Sequence, residues 1–163
     1  MGYKTIMVSG DGAPKEGIAS GAITPGQLLS RTSAAGTFIR HATQGGDIVP
    51  KIVAVEDDLQ GNEIEDDYAT TARVFARIVQ PGDEVNCLLA DGQNAAIGDE
   101  LESNGDGDLK THTAAASNSN GAFDEGGESI YSQPIFGVAL EALDMSDTSG
   151  ADPASRRILV EVS

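Results

Sequence analysis

Short apolar stretches separated by turn residues run along the whole chain, and this pattern is typical of β-strands. The stretch 71–79 gives the clearest signal, because apolar residues alternate there with longer side chains. The period of two places Val74, Ala76 and Ile78 on one face of a strand and Arg73, Phe75 and Arg77 on the other. We therefore predict a strand with one face toward a core and one toward solvent.

Turn signals separate these stretches. Thr24-Pro25-Gly26 predicts a type II turn, since Pro suits its second position and Gly its third. Gln80-Pro81-Gly82-Asp83 ends the strand at 71–79, and the Asn-Gly and Asp-Gly pairs at 104–107 predict a hairpin tip. The same pattern of turn residues recurs at Ala96-Ile97-Gly98-Asp99. The copies of this pattern are not spaced at a fixed period, so the sequence does not indicate a solenoid.

Further strands are expected wherever an apolar stretch lies between two turn signals. These are at 18–23, 28–29, 37–40, 48–55, 85–89, 97–101, 109–111, 135–140 and 157–162. Pro50 indicates that part of 48–55 is an edge or an irregular join. Helical periodicity is weak throughout, so the predicted fold is all-β: a small β-barrel or β-sandwich with long loops.

The chain divides into an N-terminal segment and one domain. Residues 1–15 are expected to form an N-terminal arm or edge strand, because Gly and Pro residues break its continuity with the strands after it. Residues 16–163 are expected to form the barrel or sandwich. Residues 113–129 are rich in Ala, Ser, Asn and Gly, which predicts a long surface loop. Residues 56–67 are predicted to be a solvated acidic loop.

Composition limits the class of partner. The 163 residues suit one domain, and with 4% aromatic residues and no Trp the core must rest on Val, Ile, Leu and Ala. Ten basic and 26 acidic residues give a net charge of −16, which disfavours nucleic acid and anionic membranes as partners and favours a basic protein surface. No apolar run approaches the roughly 20 residues of a membrane helix, and the N-terminus lacks a signal-peptide pattern.

Residues with catalytic or metal-binding chemistry are scattered. His41, Cys87 and His112 show no zinc spacing, and Cys87 is expected to be a small buried hydrophobe. A calcium loop starting at Glu102 fails because Thr113 stands where the bidentate Glu is needed. We therefore expect no metal site and no cofactor; weak cation binding by Asp57, Asp58, Asp66 and Asp67 stays open, with a solvated acidic loop as the favoured interpretation.

Enzyme motifs are equally weak. The sequence contains no Gly-x-Ser-x-Gly elbow and no phosphate-binding loop, so we expect no enzymatic activity. A carboxylate pair for glycoside hydrolysis stays open on sequence grounds, although sugar sites usually include aromatic platforms.

The few basic residues stand out against the acidic background. Arg73 and Arg77 share a predicted strand face with Phe75, and Arg156 and Arg157 open the last strand. They serve either as salt-bridge partners of the abundant acids or as a contact face steered to a partner by charge. The segment from Tyr3 to Val8 is a candidate for adding a strand to a partner's sheet.

Three stretches carry a resemblance to a known family. Residues 96–110, with Gly98-Asp99-Glu100-Leu101 followed by the Gly-rich tip and Leu109, resemble a hairpin of tailed-phage capsid decoration (cement) proteins. Gly137-Val138-Ala139-Leu140-Glu141 and the last strand at 157–162 resemble their ending. The turn at 24–28 is similar to their early Pro-Gly-x-x-Leu turn, with Leu29 in the expected place. The similarity covers most of residues 17–163, with 113–129 as an insertion.

The resemblance implies a structural protein that binds the outside of the expanded phage head and stabilises it. The implied partner is the major capsid protein, and the implied location is the outer capsid surface of the virion after synthesis in the host cytoplasm. Family analogy favours a homotrimer, with a dimer next. The candidate capsid-contact residues are Tyr3, Lys4, Ile6, Arg73 and Arg77.

Two other classes of function remain open. A β-rich head-fibre or adhesion module would bind a host glycan and would not occupy the shell. A small β-barrel hydrolase would depend on a single carboxylate, and the absence of catalytic motifs ranks this class lowest.

Overall fold

The computed structural model describes residues 4–113, 134–146 and 152–163, and the regular elements in these ranges are all strands. The strands are β1 Met7–Ser9, β2 Ala13–Ala19, β3 Leu28–Arg31, β4 Thr37–Arg40, β5 Ile52–Ala54, β6 Arg73–Ile78, β7 Glu84–Leu88, β8 Asn94–Ala95, β9 Glu100–Ser103, β10 Leu109–Thr111, β11 Gly137–Ala139, β12 Leu143–Asp144 and β13 Arg157–Val162. No helix in these ranges is long and apolar enough to cross a membrane. Nearly all of the predicted loop at 113–129 lies outside the described residues.

Five strands close into a barrel in the order β2-β4-β3-β5-β6. Its longest pairing joins β2 to β6 antiparallel, from Ala13 opposite Ile78 to Ile18 opposite Arg73. Val74 and Ala76 on β6 are buried and Arg73 is exposed, so the alternation predicted for this strand is confirmed.

Six strands form an antiparallel sheet in the order β1-β7-β13-β11-β9-β10. β13 is central and pairs with β7 on one side and β11 on the other. β9 and β10 form the predicted hairpin, in which Leu109 lies opposite Ser103 and the Asn104 N–H donates to the Asp108 carbonyl at 2.9 Å. A two-stranded ribbon, β8 with β12, completes the all-β fold that the sequence predicts.

One wall of the barrel is buried on both faces. On β3, Leu28 packs in the core of the six-stranded sheet, whereas its neighbour Leu29 packs inside the barrel. On β5, Val53 and Ile52 divide in the same way, and each lies opposite its counterpart on β3. Because successive side chains of a strand point to opposite faces, these two short strands join two hydrophobic cores.

Residues 4–15 contribute to both halves of the fold. β1 is an edge strand of the six-stranded sheet, where Met7 lies opposite Val85. β2, which begins at Ala13, is one of the five strands of the barrel. The predicted boundary at residue 15 therefore falls within β2. Gly10 and Gly12, with φ of +86° and +48°, form the link between the two strands, where the sequence was interpreted as a break.

The three turns that were predicted from the same pattern of turn residues, at 24–27, 80–83 and 96–99, have the same geometry. Each has a Gly with φ near +92° in the third position: Gly26 at +93°, Gly82 at +92° and Gly98 at +92°. In each, the side chain of the fourth residue accepts a hydrogen bond at 2.9 Å from the backbone N–H of the first: Gln27 from Thr24, Asp83 from Gln80, and Asp99 from Ala96. The repeated sequence pattern thus encodes a repeated turn, in which the side chain of the fourth residue is hydrogen-bonded to the backbone of the first.

Candidate interaction surface

Arg73 and Arg77 both lie on β6, on the outer face of the barrel. Arg73 is well exposed, with its Nη1 3.5 Å from Glu16 Oε2 on the neighbouring β2. Arg77 is half-buried, and its Nη1 donates to the carbonyl oxygens of Asp11 at 3.0 Å and Gly12 at 3.4 Å. Arg73 is therefore available at the surface, whereas one nitrogen of Arg77 holds the link between β1 and β2.

The N-terminal contact candidates are placed differently. Ile6 is fully buried in the core of the six-stranded sheet, so its side chain does not reach the surface. Its backbone N–H donates to the Glu56 carboxylate at 3.1 Å, and Thr5 Oγ1 donates to the same carboxylate. Lys4 is exposed, and Tyr3 lies outside the described residues. β1 begins at Met7, the residue after Ile6, and pairs with β7 of the same chain.

A groove of about 460 Å³ separates the outer face of β2 and β6 from the segment 55–59. One wall is formed by Pro14, Lys15, Glu16, Phe75, Ala76 and Arg77, and the other by residues 55–59. Leu59 is 89% exposed. Sequence reasoning treated residues 56–67 as a solvated loop and missed this packing; the only signal was Phe75, an aromatic residue on the outward face of an alternating strand.

The groove is acidic on the side of the 55–59 segment. It contains Glu56, Asp57 and Asp58, and Asp57 is only 5% exposed. The nearby Tyr68 hydroxyl donates to the Val55 carbonyl at 2.6 Å. Burial raises the pKa of Tyr68 to about 12, and the negative charges of the three carboxylates act in the same direction against a backbone hydrogen bond.

A second cavity of about 320 Å³ lies at the end of the barrel, between β2 and the turn from β3 to β4. Lys15, Glu16, Arg31 and Phe38 line it together with Thr32 and residues 34–37. Because Lys15 and Glu16 also line the first groove, the two cavities share one continuous surface. We call this surface, from Arg31 across β2 to the outer face of β6 with Arg73 and Arg77, and on to Leu59, the barrel face.

The basic residues of the six-stranded sheet, by contrast, neutralise buried acids. Glu102 is 1% exposed, and its carboxylate lies 2.8 Å from Lys110 Nζ and 2.6 Å from His112 Nδ1. Burial by itself would raise the pKa of Glu102, but the hydrogen bonds and charges of Lys110 and His112 outweigh it and lower that pKa. Asp108, also buried, lies 3.0 Å from Arg156 Nη1 and accepts from Gln27 Nε2 at 3.0 Å.

Arg157 connects the sheet to the barrel. Its guanidinium is buried and donates to the carbonyl oxygens of Pro25 and Ile64, while its Nε lies 3.3 Å from Glu65. Of the two interpretations of Arg156 and Arg157, the salt-bridge interpretation is the one that the structure supports.

His41 and Ser103 form a pair that resembles a base and a nucleophile. Ser103 Oγ lies 2.6 Å from His41 Nδ1, and His41 Nε2 lies 3.2 Å from the Asp47 carbonyl oxygen. The carbonyl can only accept, so a neutral ring carries its proton on Nε2 and Nδ1 accepts from the serine. Ser103 is fully buried and also accepts from the Gly105 N–H at 3.1 Å, so its hydroxyl is enclosed by the chain itself.

Metal ligands are not assembled in the described ranges. There, no group of three or more His, Cys, Asp or Glu side chains is placed to hold a metal ion. His41, Cys87 and His112 each lie in a separate setting. His41 forms a hydrogen bond with Ser103, Cys87 packs in the apolar core, and His112 forms a hydrogen bond with Glu102.

Comparison with known proteins gives a likeness in fold. No protein-family model matches the sequence, and no curated protein sequence matches it. Among solved structures, the chain is similar to the head fiber gp8.5 N base of bacteriophage phi29, with a TM-score of 0.51 and 12% sequence identity. The superposition covers 93% of each chain. This chain therefore has the fold of a phage head fibre base over nearly its whole length.

Proposed function

We propose that this chain is a structural protein of a tailed-phage head, which binds the outside of the expanded shell and stabilises it. The observation that carries the proposal is the fold match, over 93% of each chain, with the N base of a phi29 head fiber. The sequence resemblance of residues 96–110 and of 137–141 to capsid decoration proteins points to the same part of the virion. A shared fold does not by itself transfer a function, so shell binding must be measured directly.

The charge distribution supports binding through the barrel face. Arg31, Arg73 and Lys15 lie there at the surface, whereas the sheet uses Lys110, Arg156 and Arg157 against its own acids. The net charge of −16 keeps free molecules apart and attracts them over long range to a basic capsid surface, and in the contact itself the exposed cations of the barrel face would pair with acidic side chains of that surface.

Stabilisation of the head is then a consequence of linkage. A ligand that binds only the expanded lattice stabilises that lattice by RT ln(1 + [L]/Kd) per site. Many copies on one shell add their contributions, and an oligomer that spans several capsid subunits gains further through multivalency. By family analogy the proposed oligomer is a trimer, with a dimer next, and light scattering on the purified protein distinguishes these states.

The test is sedimentation of the purified protein with undecorated, expanded shells of the cognate phage, with unexpanded procapsids as the control. We expect saturable, stoichiometric binding to the expanded shells alone and a higher temperature of shell disruption once they are decorated. Absence of binding to both forms would contradict the proposal.

The contact residues are tested in the same assay. Arg73→Glu reverses a charge on the barrel face and is expected to weaken shell binding. Arg40→Glu is the matched control, because Arg40 is also a partly exposed barrel arginine in an ion pair, at 3.1 Å with Asp106, but it lies outside the barrel face. Equal binding by both variants would remove Arg73 from the proposed interface.

A second function is favoured by the same comparison, since the structural neighbour is the base of a fibre. In that case the chain would be a head-fibre or adhesion module that binds a host glycan. Glycan-array binding without occupancy of the shell would favour this function, and shell binding without glycan binding would favour decoration.

A further inference from the structure

The first half of β2 is paired along one edge only. β2 lies antiparallel to β6 from Ala13 to Ile18, but it pairs with β4 only at its last two residues, Ile18 and Ala19. The second cavity, of about 320 Å³, lies on the other side of the first half, between β2 and the turn from β3 to β4. Residues 13–17 therefore have an open strand edge in a barrel that closes elsewhere.

The backbone of Glu16 points to this open edge. The Ile18 N–H donates to the Gly36 carbonyl, on the side of β4, at 2.8 Å. Because successive residues of a strand direct their N–H and C=O groups to opposite edges, Pro14 and Glu16 direct theirs to the same side as Ile18. Among the described residues, nothing meets the N–H or the carbonyl of Glu16 there. Such an edge is a template for pairing with another chain.

Two cations face the second cavity without a partner. Lys15 shares a face of β2 with the buried Ala19, and Arg31 shares a face of β3 with Leu29, so both lie at the mouth of the barrel. Both are exposed and line the cavity. Neither forms an ion pair within the part of the chain that the structure describes, although the protein has 26 acidic residues. The mouth of the barrel thus carries positive charge that the chain itself does not neutralise.

These two features together select an extended, acidic segment as the occupant. A strand beside β2 supplies a donor and an acceptor to Glu16, and its alternate side chains lie on the face of Lys15, where carboxylates pair with Lys15 and Arg31. Its other side chains lie on the outer face, beside the Glu16 carboxylate, which is 3.5 Å from Arg73. Neutral residues fit at these positions. A small anion would leave the carbonyl of Glu16 unpaired.

We propose that the open edge of β2 at residues 14–16 binds an extended, acidic segment of a partner protein, which adds a short strand to the barrel and places its carboxylates beside Lys15 and Arg31. In the antiparallel arrangement, the residue opposite Glu16 exchanges two backbone hydrogen bonds with it. The inference rests on the proposed function for the source of the segment, an acidic stretch of the capsid protein. One such edge binds weakly, and many copies on one shell strengthen the attachment through multivalency.

The test is an NMR titration of the full-length protein with the peptide acetyl-Thr-Asp-Val-Asp-Thr-amide. With its Val opposite Glu16, both Asp side chains lie on the face of Lys15. We expect the peptide to shift the amide signals of residues 15–17 and 34–37 at millimolar concentration. Methylation of the Val nitrogen removes the donor to Glu16 and should weaken binding by about fivefold or more. Replacement of both Asp residues by Asn should weaken it by about threefold or more.

The peptide controls separate strand addition from attraction by charge alone. Equal binding of the methylated and unmethylated peptides would show that the backbone of the segment is not recognised, and this would overturn the proposal. Equal binding of the Asp and Asn peptides would overturn the assignment of Lys15 and Arg31 to the carboxylates. Absence of shifts with every peptide at millimolar concentration would also overturn the proposal.

Two variants of Glu16 test the backbone contact from the protein side. Glu16→Pro removes the N–H that points to the open edge, leaves the ladder with β6 intact and should weaken peptide binding by about fivefold. Glu16→Ala is the matched control, because it loses the same carboxylate and keeps the N–H; it should bind at least as well as the unaltered protein. Equal affinities of the two variants would contradict the strand addition. Should Glu16→Pro fail to fold, the methylated peptide decides with the unaltered protein.

The cations are tested by charge reversal. Lys15→Glu and Arg31→Glu should each weaken binding of the acidic peptide by about threefold or more, since each replaces an attraction by a repulsion. Lys4→Glu is the matched control: it changes the net charge equally at an exposed lysine that does not line the second cavity, and it should have little effect. An equal loss in all three variants would mean that only the net charge matters, which would overturn the proposal.

A second copy of this chain is the alternative occupant. Two β2 edges that pair across a two-fold axis would bring the unpaired cations of both copies into one interface, which like charges oppose. Concentration-dependent shifts of the same amide signals without peptide, together with a dimer in light scattering, would assign the edge to a second copy and overturn the proposal. Signals that move only with peptide would support it.

Shell sedimentation distinguishes this inference from the proposed function. Shell binding that is unaffected by Glu16→Pro and by Lys15→Glu would overturn the strand addition while supporting the role at the phage head. Peptide binding at the β2 edge without binding to shells would support the strand addition and contradict that role.

Discussion

The guanidinium of Arg157 donates a hydrogen bond to the carbonyl oxygen of Pro25 at 2.6 Å, although 132 positions separate the two residues in sequence. The bond joins the first position of β13, in the six-stranded sheet, to the turn that precedes β3 of the barrel. Gly26, next to Pro25, leaves the space for it, because a Cβ there would lie 2.6 Å from Arg157 Nη1. The Arg157 side chain therefore links the barrel to the sheet, in addition to the packing of β3 and β5 between the two cores.

Replacing Arg157 should destabilise the protein strongly. Arg157→Met leaves the carbonyl oxygens of Pro25 and Ile64 without their donor, and we expect the free energy of unfolding to fall by about 2–4 kcal/mol. Arg73→Met is the control, because its exposed pair with Glu16 is expected to contribute about 0.5 kcal/mol or less. Guanidinium unfolding curves measure both, and equal midpoints would contradict the bridging role of Arg157.

Glu102 should make stability depend on pH in the acidic range. Its folded pKa lies below the unfolded value of 4.5, so its contribution is present above about pH 4.5 and is lost as pH falls through the folded pKa. Glu102→Gln should be less stable than the unaltered protein at pH 7, and the difference should shrink below pH 4.5.

The measurement for Glu102 is the difference in unfolding free energy between variant and parent at a series of pH values, which cancels the titration of the other acids. Glu100→Gln, an exposed position on the same strand, provides the control and should give a small, pH-independent difference. A constant difference for Glu102→Gln as well would show that its ion pairs with Lys110 and His112 contribute no pH-dependent stability.

The turn at residues 80–83 should require glycine for conformational reasons alone. Gly82 has φ of +92°, and an added Cβ would meet no atom within 4 Å, so Gly82→Ala is expected to cost about 1–2 kcal/mol through backbone strain. Gly21→Ala is the matched control, since that site is equally open and its φ is not in the left-handed region. It should be neutral or slightly stabilising. Thermal unfolding of the two variants separates strain from packing.

Cys87 should be unreactive in the folded protein. Burial raises the pKa of its thiol well above the usual range, partly offset by the positive charge of Arg157 and reinforced by Asp108. We expect Ellman's reagent to label no thiol under native conditions and one thiol per chain in guanidinium. Rapid native labelling would mean that the sheet around β7 opens readily.

Local features of the fold were predictable from the sequence, whereas long-range ones were not. The alternation at Arg73–Ile78 and the Gly-containing turns at 24–27, 80–83 and 96–99 depend on neighbouring residues, and the structure has them as predicted. The start of β2 was missed because Gly10-Asp11-Gly12 has the composition of a break, although its positive φ angles connect two strands.

The candidate site was also predictable only in its local features and not in its long-range contacts. Alternation placed Arg73, Phe75 and Arg77 on the outer face of β6, but it gave no indication that Asp57 would pack beside them. Burial of an ion is often decided by partners far away in sequence, as with Asp108 and Arg157. An acidic run therefore looks solvated until its tertiary contacts are known, and Ile6 looks available to a partner until the sheet covers it.

The order of strands in the six-stranded sheet has a mechanical consequence. β1 and β13 flank β7 and both run antiparallel to it, so they are parallel to each other. Tension applied at the N-terminal end of β1 and the C-terminal end of β13 pulls these strands in opposite directions along β7. Because ladder hydrogen bonds lie perpendicular to the strands, such a load shears many of them at once and does not unzip them one by one.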